Sequence, residues 1–337
     1  MKKILLLFGM MALLATTAQA DVEINEENFP DEAFRSVIAS MPEGMDGILT
    51  DEEIAGIEEL VVLWGTPNEV FSLKGIEFFT NLKVFDFAYR FIKELDLSAN
   101  KKLEFIRLDL GLLENLNISG LTSLKSLICL RGLLTELDVS TCTSLEYFCC
   151  KNNSRLTSLD LSNNTRLKVV HCSSNQLTSL DLTNNINLKE LDCSYNQLTS
   201  IILPQSEMLS KVECYANHLS GESMDQLLAS LPTVAKGELY PYIEVADDDE
   251  EGPQTEFNVC TTSQVEVAKS KNWTVYGIYH VLGEYWEEYS GSETTAIQNP
   301  RQNETTSDCY TIDGRRLDSQ PTNKGIYIQN GKKVVIK

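Results

Sequence analysis

Three residues whose types could carry out nucleophilic catalysis recur at almost equal intervals in the middle of the chain. They are Cys149, His171 and Asp192, which are separated by 22 and 21 residues. A thiol, an imidazole and a carboxylate in this order match a nucleophile, its base and an orienting acid. If the intervals are those of a repeat, these residues lie on successive strands with Cβ atoms about 5 Å apart. The spacing therefore permits a Cys–His–Asp relay.

Catalysis also needs surroundings that this stretch does not supply. The three residues would lie on an open face with no oxyanion donors, no glycine-rich turn and no lid to exclude water. Adding Glu213 does not complete a zinc site, because ligands in a straight row do not converge tetrahedrally. Phosphate-loop, dinucleotide, metalloprotease and nucleophile-elbow motifs are absent from the sequence. We therefore expect no catalytic residue, no metal site and no cofactor, and keep an enzyme using Cys149 as an alternative.

The feature that must position these residues is a repeat marked by leucine. Successive copies begin at Leu82, Leu103, Leu124, Leu145, Leu167, Leu188 and Leu209, every 21 residues with one interval of 22. Each copy reads L-x-x-(L/V/F/I)-x-(C/L/F), and later ones continue as x-x-N-x-L-T-x-L-D-L-(S/T)-x-N. Over residues 71–222 this pattern resembles bacterial leucine-rich-repeat proteins. One repeat cannot bury its apolar face alone, so we predict a parallel β solenoid of about seven repeats.

Cysteine and asparagine recur with the same period and are expected inside the solenoid. The cysteines at the inward sixth position are Cys129, Cys150, Cys172, Cys193 and Cys214. Parallel strands lie about 4.8 Å apart, further than the Cβ separation of about 3.8 Å that a disulfide prefers, so we expect free thiols. The amides of Asn153, Asn175, Asn196 and Asn217 can satisfy buried backbone groups at the turns. Cys260 and Cys309 lie outside the array, and whether they pair is left open.

The segments outside the repeats predict caps at both ends. Residues 21–70 are predicted to form a helical N-terminal cap, with one helix beginning near Pro30 and a second capped by Thr50 and Glu53. Residues 223–289 alternate helix and strand patterns and are predicted to be C-terminal capping units. In the array, residues 156–161 and 177–182 alternate apolar and polar side chains, which predicts extended return segments opposite the main strands.

The two ends of the chain carry targeting signals. Residues 1–20 have a basic start, an apolar stretch and the small-residue site Ala18-Gln19-Ala20, which predicts a signal peptide. A polar linker is predicted over residues 290–306, followed by a β-rich tail over residues 307–337 with an Asn330-Gly331 hairpin turn. The Asp313-Gly314-Arg315 and Lys324-Gly325-Ile326-Tyr327 motifs and the basic-apolar end of this tail resemble the sorting module of Bacteroidetes proteins that use type IX secretion. The resemblance implies the outer-membrane sorting machinery as a partner and release or attachment at the cell surface.

Charge and hydropathy restrict the partners and the location. The formal net charge is −21, which opposes binding to nucleic acids or anionic membranes. Beyond the predicted signal peptide no apolar run is long enough to cross a bilayer as a helix, so no transmembrane segment is expected. The expected location is therefore outside the cell or at its outer surface.

Alternation of side chains along each strand predicts which residues face a ligand. The third and fifth positions of every repeat are expected on the concave face, with parts of the seventh and eighth. Aromatic and arginine side chains dominate protein interfaces. We therefore predict contacts from Phe105, Arg107, Tyr147, His171, Tyr195 and Tyr215. The expected function is adhesin-like or receptor-like binding of a protein or glycan, host molecules included; a structural envelope protein without a specific ligand is the alternative.

Overall fold

The computed structural model describes residues 21–62, 69–88, 91–244, 256–280, 284–292, 309–311, 316–317, 325–329 and 332–336. The chain divides into two compact units, residues 1–295 and 296–337. The predicted signal peptide, residues 293–306 of the predicted linker and the Asn330-Gly331 turn lie outside the described residues. In the described part, no helix is long and apolar enough to cross a membrane.

The first unit begins with a small helical layer that covers the start of the core. Its elements are β1 (Val22–Glu23), α1 (Glu32–Ala39), a 3-10 turn (Pro42–Gly44), β2 (Ile48–Leu49), which pairs antiparallel with β1, and α2 (Asp51–Gly56). Asp31 caps α1 by accepting from the Phe34 N–H at 2.8 Å, and its other oxygen accepts from the Phe71 N–H at 2.8 Å. The capping box predicted from Thr50 and Glu53 is present at α2. Both helices are therefore capped, and Asp31 also ties α1 to the chain that follows.

The repeats form a parallel solenoid, as predicted. Their strands are β3 (Glu59–Val62), β4 (Val84–Phe87), β5 (Glu94–Asp96), β6 (Phe105–Asp109), β7 (Asn115–Asn117), β8 (Ser126–Leu130), β9 (Tyr147–Cys149), β10 (Val169–His171), β11 (Ser179–Asp181), β12 (Glu190–Asp192), β13 (Ser200–Ile202) and β14 (Lys211–Glu213). The main sheet runs β3-β4-β6-β8-β9-β10-β12-β14 with every neighbouring pair parallel. All seven repeat leucines are fully buried. The leucine period therefore stacks one continuous core.

The return segments form two short parallel pairs opposite the main sheet. They are β5 with β7 and β11 with β13. The strand predicted within residues 177–182 is therefore confirmed as β11. Residues 156–161, also predicted to be extended, join neither pair. Its leucines Leu156 and Leu161 are nevertheless buried in the core.

The predicted cysteine and asparagine ladders are present and are joined to each other. All five ladder cysteines are buried and free, and so is Cys260. The Asn175 amide donates to the Cys150 carbonyl at 3.0 Å and to the Cys172 carbonyl at 2.8 Å. Asn196 bonds in the same way to Cys172 and Cys193, and its oxygen accepts from the Leu177 N–H at 3.0 Å. Each asparagine therefore joins two successive repeats through their cysteine carbonyls.

A second asparagine ladder, which the sequence analysis did not single out, holds the return side. The Asn164 amide donates to the carbonyls of Val139 and Cys142 at 2.9 and 3.0 Å. Asn100 and Asn185 each donate an equivalent pair of bonds to carbonyls of the preceding turn. Buried asparagine amides therefore satisfy backbone carbonyls on both the main-sheet side and the return side of the solenoid.

The C-terminal capping units extend the main sheet. They contain α3 (Glu222–Ser230), β15 (Gly237–Glu244), α4 (Thr262–Ser270), β16 (Trp273–His280) and β17 (Glu284–Glu288). Helices and strands alternate from α3 to β16, which agrees with the pattern predicted for this segment. β14, β15 and β16 are parallel, and β17 pairs antiparallel with β16 at the edge of the sheet. Asn258 continues the first ladder by donating to the carbonyls of Cys214 and Pro241.

The second unit is a small antiparallel sheet. Its strands are β18 (Cys309–Thr311), β19 (Arg316–Leu317), β20 (Gly325–Gln329) and β21 (Lys332–Ile336), in the order β19-β18-β20-β21. The antiparallel pairing of β20 with β21 agrees with a hairpin there.

Removing a ladder amide should destabilise the array strongly. Asn196→Ala leaves two buried carbonyls and one N–H without their partner, so we expect the free energy of unfolding to fall by about 2–4 kcal/mol. Asn184→Ala is the control, because its exposed amide makes a single bond of 3.3 Å, and it should cost less than about 0.5 kcal/mol. Urea unfolding followed by circular dichroism measures both. Equal losses in the two variants would contradict a structural role for the ladder.

The Glu256 carboxylate should make stability depend on pH. It accepts from the Ala216, Ile243 and Asn258 N–H groups at 2.9, 3.0 and 2.7 Å, and burial raises its pKa to about 7. Because the native carboxyl then holds its proton above the unfolded pKa, stability should fall by up to roughly 3 kcal/mol between about pH 4.5 and pH 7. Glu256→Gln should flatten urea midpoints over this window, and the exposed Glu207→Gln should not. A slope that Glu256→Gln leaves unchanged would refute this assignment.

Candidate functional site

The register of the main sheet places side chains in two rows on the concave face. The third-position row runs Glu59, Val84, Phe105, Ser126, Tyr147, Val169, Glu190, Lys211 and Glu238. The fifth-position row runs Val61, Asp86, Arg107, Ile128, Cys149, His171, Asp192, Glu213 and Tyr240. Cys149, His171 and Asp192 are therefore lateral neighbours, as the repeat predicted.

These three neighbours do not form a relay. The ring nitrogens of His171 lie 3.4 Å from the Tyr147 hydroxyl and 3.3 Å from a Glu190 oxygen. Asp192 is occupied elsewhere, since the Lys151 ammonium donates to its carboxylate at 2.5 Å. Burial raises the pKa of the Cys149 thiol, although the Lys151 backbone and ammonium oppose this. A protonated nucleophile and an engaged acid do not make a catalytic site.

Asp192 instead organises a buried polar cluster on the seventh-position side of its strand. Besides Lys151, the Ser173 and Ser194 hydroxyls donate to it at 2.9 and 2.7 Å. Burial alone would raise the pKa of Asp192, but the hydrogen bonds from Lys151 and Ser194 outweigh it and leave the pKa below its usual value. This carboxylate is therefore ionised and locked, which fixes the side chains around it.

The N-terminal half of the concave face combines apolar and charged side chains. Phe105 and Ile128 are half-buried, and Val61 at the edge strand is 51% exposed. The predicted contact residue Arg107 has a side chain that is 49% exposed and lies 3.7 Å from the Asp86 carboxylate. Arg131, the eighth residue of its repeat, pairs with the buried Asp109 through two guanidinium nitrogens. The guanidinium groups in this half are therefore held in place by carboxylates and lie beside apolar side chains.

The C-terminal end of the face carries five aromatic rings in contact, which we call the aromatic row. Its members in order of contact are Tyr195, Tyr215, Trp286, Tyr240 and Tyr276, with successive ring centroids 5.3, 6.5, 4.6 and 5.1 Å apart. Tyr195 and Tyr215 were predicted as contact residues, and the other three were not. Counting alternate residues along the predicted strands β15 and β16 could have found Tyr240 and Tyr276. Trp286 lies on β17, which no sequence pattern indicated.

A groove of about 1070 Å³ lies on the return side and is lined by acidic residues, among them Glu94, Asp96, Glu136 and Asp138. Asp96 and Asp138 accept from the N–H groups of Ser98 and Ser140 at 2.8 Å. The hydrogen bonds from Ser140 hold the pKa of Asp138 below its usual value. These carboxylates close their own turns, so the groove is explained by the repeat geometry. Among the described residues, no group of three or more His, Cys, Asp or Glu side chains is placed to hold a metal ion.

Comparison with known proteins agrees with the repeat architecture. Residues 165–207 match the family model described as Leucine Rich repeats (2 copies). The chain contains leucine-rich repeats. A comparison with curated protein sequences finds no match.

Several solved structures are similar to this leucine-rich-repeat chain. The functional domain of InlJ from Listeria monocytogenes, described as including a cysteine ladder, is 24% identical over 67% of this chain and 57% of that one, with a TM-score of 0.34. Internalin C2 from Listeria monocytogenes is 23% identical over 64% of this chain and 95% of that one, with a TM-score of 0.48. The LRR protein LIC12759 of Leptospira interrogans is 21% identical over 56% and 62%, with a TM-score of 0.31. This chain thus spans a little over half the length of the InlJ domain.

Alkylation should show that Cys149 is a structural thiol. In a Cys309→Ser background, we expect native Cys149 to react with iodoacetamide at pH 8 more slowly than glutathione, because burial raises its pKa and limits access. In urea all the cysteines should react at the glutathione rate. Mass spectrometry of timed samples assigns each site. Native Cys149 reacting faster than glutathione would restore the enzyme alternative.

Proposed function

We propose that this protein is a secreted or cell-surface binding module, adhesin-like or receptor-like, that recognises a protein or glycan through its concave face. The observation that carries the proposal is the character of that face. Aromatic and charged side chains are partly exposed there and yet fixed by contacts with one another, as between Tyr147 and His171 and between Tyr195 and Tyr215. A surface already ordered before binding loses little conformational entropy when a ligand docks.

The size of the face also suits a macromolecular ligand. The sheet has eleven strands from β3 to β17. At the usual strand separation it spans about 48 Å, which exceeds what an interface of standard size requires. We propose Phe105, Arg107, Tyr147, His171, Tyr195 and Tyr215 as contact residues, all of which lie on strands or turns of this one sheet.

We also propose how the chain is divided into segments and how it is exported. We propose a signal peptide over residues 1–20, an N-terminal cap over 21–70, repeats over 71–222, capping units over 223–289, a linker over 290–306 and a sorting tail over 307–337. The tail motifs support export by type IX secretion in a Bacteroidetes host cell, with the sorting machinery as a second partner. Retention of a tail-deleted chain inside the cell would support this route, and unchanged export would refute it.

Affinity capture tests the concave face. The chain from residue 21 onward is immobilised and exposed to host mucosal and bacterial envelope extracts beside the variant Phe105→Glu, Tyr147→Ala, Tyr195→Ala. We expect a partner whose retention by this variant falls at least tenfold, since loss of aromatic contacts at the centre of an interface typically costs 2 kcal/mol or more.

A second triple variant is the matched control. Thr178→Glu, Ile186→Ala and Ile202→Ala make one acidic and two truncating changes at exposed return-side positions. It should retain the partner. Loss in both variants would indicate damage to the fold, and retention by both would place the site away from the concave face. No captured partner would favour the structural envelope protein.

A further inference from the structure

The C-terminal end of the concave face combines aromatic rings with carboxylates. Tyr240 donates its hydroxyl to Glu238 at 3.1 Å, and Glu213 is its paired neighbour on the adjacent strand. Burial and the charges of Glu238 and Glu213 raise the pKa of Tyr240 above its usual value. The ring therefore sits in a negative potential, which adds to the attraction of its π face for a cation.

One cation of the chain already occupies part of this surface. The Lys211 ammonium lies 5.7 Å from the centre of the Tyr240 ring, within the range of a cation–π contact. The same ammonium is 3.2 Å from Glu213 and 3.7 Å from Glu190. Lys236 lies 3.9 Å from Glu238, so two ammonium groups face the three carboxylates of Glu190, Glu213 and Glu238. With one more carboxylate than ammonium group, this end of the face is short of positive charge.

Trp286 is the accessible ring of the row, since Tyr240 is buried and stacks on Tyr276. Trp286 is 43% exposed. Its ring meets that of Tyr240 at 75° and that of Tyr215 at 64°. Its neighbours therefore hold this exposed ring in place, and a fixed aromatic surface of this kind can attract a positively charged group.

We propose that the aromatic row, with Glu213 and Glu238, binds an arginine or lysine side chain of a protein partner. The inference rests on the proposed function and specifies the chemistry of its partner as a basic segment. Aromatic faces bounded by under-neutralised carboxylates select a cation over a neutral group of the same shape. The net charge of −21 would also speed the approach of a basic segment.

Peptide binding to the full chain tests this assignment. The probe is a fluorescein-labelled peptide with four arginines spaced by Gly-Ser, and its matched control carries citrulline, which has the same shape without the charge. Fluorescence anisotropy at 0.15 M salt should give at least tenfold tighter binding of the arginine peptide. Equal binding of the two peptides, or no binding of either, would overturn the proposal.

Two pairs of variants separate the aromatic row from general attraction to an acidic protein. Trp286→Leu should weaken binding about three- to fivefold, whereas Trp286→Phe should stay within about twofold because it keeps a ring. Glu213→Gln with Glu238→Gln should weaken binding more than Asp160→Asn with Asp181→Asn, which removes two exposed charges on the return side. If the two variants of either pair weakened peptide binding equally, the binding would come from general electrostatic attraction and not from the aromatic row. Circular dichroism verifies that each variant is folded.

The outcome is distinguishable from that of the capture experiment. If the concave triple variant loses its partner but the arginine peptide does not bind, only the present inference fails. If the captured partner is released by a neutral oligosaccharide and not by the arginine peptide, the ligand is a glycan and the cation assignment is wrong. If arginine peptide and partner compete, both proposals stand.

Discussion

Each turn of this solenoid must satisfy its buried backbone groups through its nearest neighbours, and buried asparagine amides meet that requirement. An unpaired buried carbonyl or N–H costs about 1–3 kcal/mol. Asn175, Asn196 and Asn217 each donate to cysteine carbonyls of two successive repeats, and their side-chain oxygens accept from backbone N–H groups. Such a bond forms only when the repeats are in register. The ladder therefore fixes the lateral neighbours on the concave face.

The limits of the ladder explain differences among the repeats. The Asn153 side-chain oxygen faces Gly132, where a Cβ atom would lie only 2.5 Å away, so the residue at the beginning of the ladder must be small. In repeats before that point the strands β6 and β8 run for five residues. From β9 to β14 the main strands of the sheet run for three. Backbone groups that cannot bond to an asparagine continue the strand ladder instead, because buried polar groups must be paired.

The lateral neighbours on the sheet could be predicted from the sequence. The hydrogen-bond and ion-pair partners of their side chains could not. A fixed period makes residues 21 or 22 apart lateral neighbours, which was enough to place Cys149 beside His171 and His171 beside Asp192. Alternation assigns a residue to a face and leaves its rotamer undetermined, so the choice of Lys151 by Asp192 was not visible. Beyond residue 220 the period ends, and an irregularity between Leu239 and Tyr242 shifts the register of β15 on β16. Counting from the repeats stops where the period ends, so Tyr240 and Tyr276 were missed, and Trp286 lies on β17, which no pattern indicated.

The rigid register that makes this face suitable for binding also works against catalysis on it. Side chains on parallel strands project side by side, with a spacing of about 5 Å. Groups of a reaction centre must converge on one atom in a site from which water is excluded. Along the fifth-position row, His171 and Asp192 turn to separate partners, and neither meets Cys149. A ligand that spreads over many strands benefits from the same divergence, since each repeat adds contact area without rearranging its neighbour. The rows of this sheet are thus suited to recognising an extended surface, with the aromatic row adding local chemistry where the repeats give way to the cap.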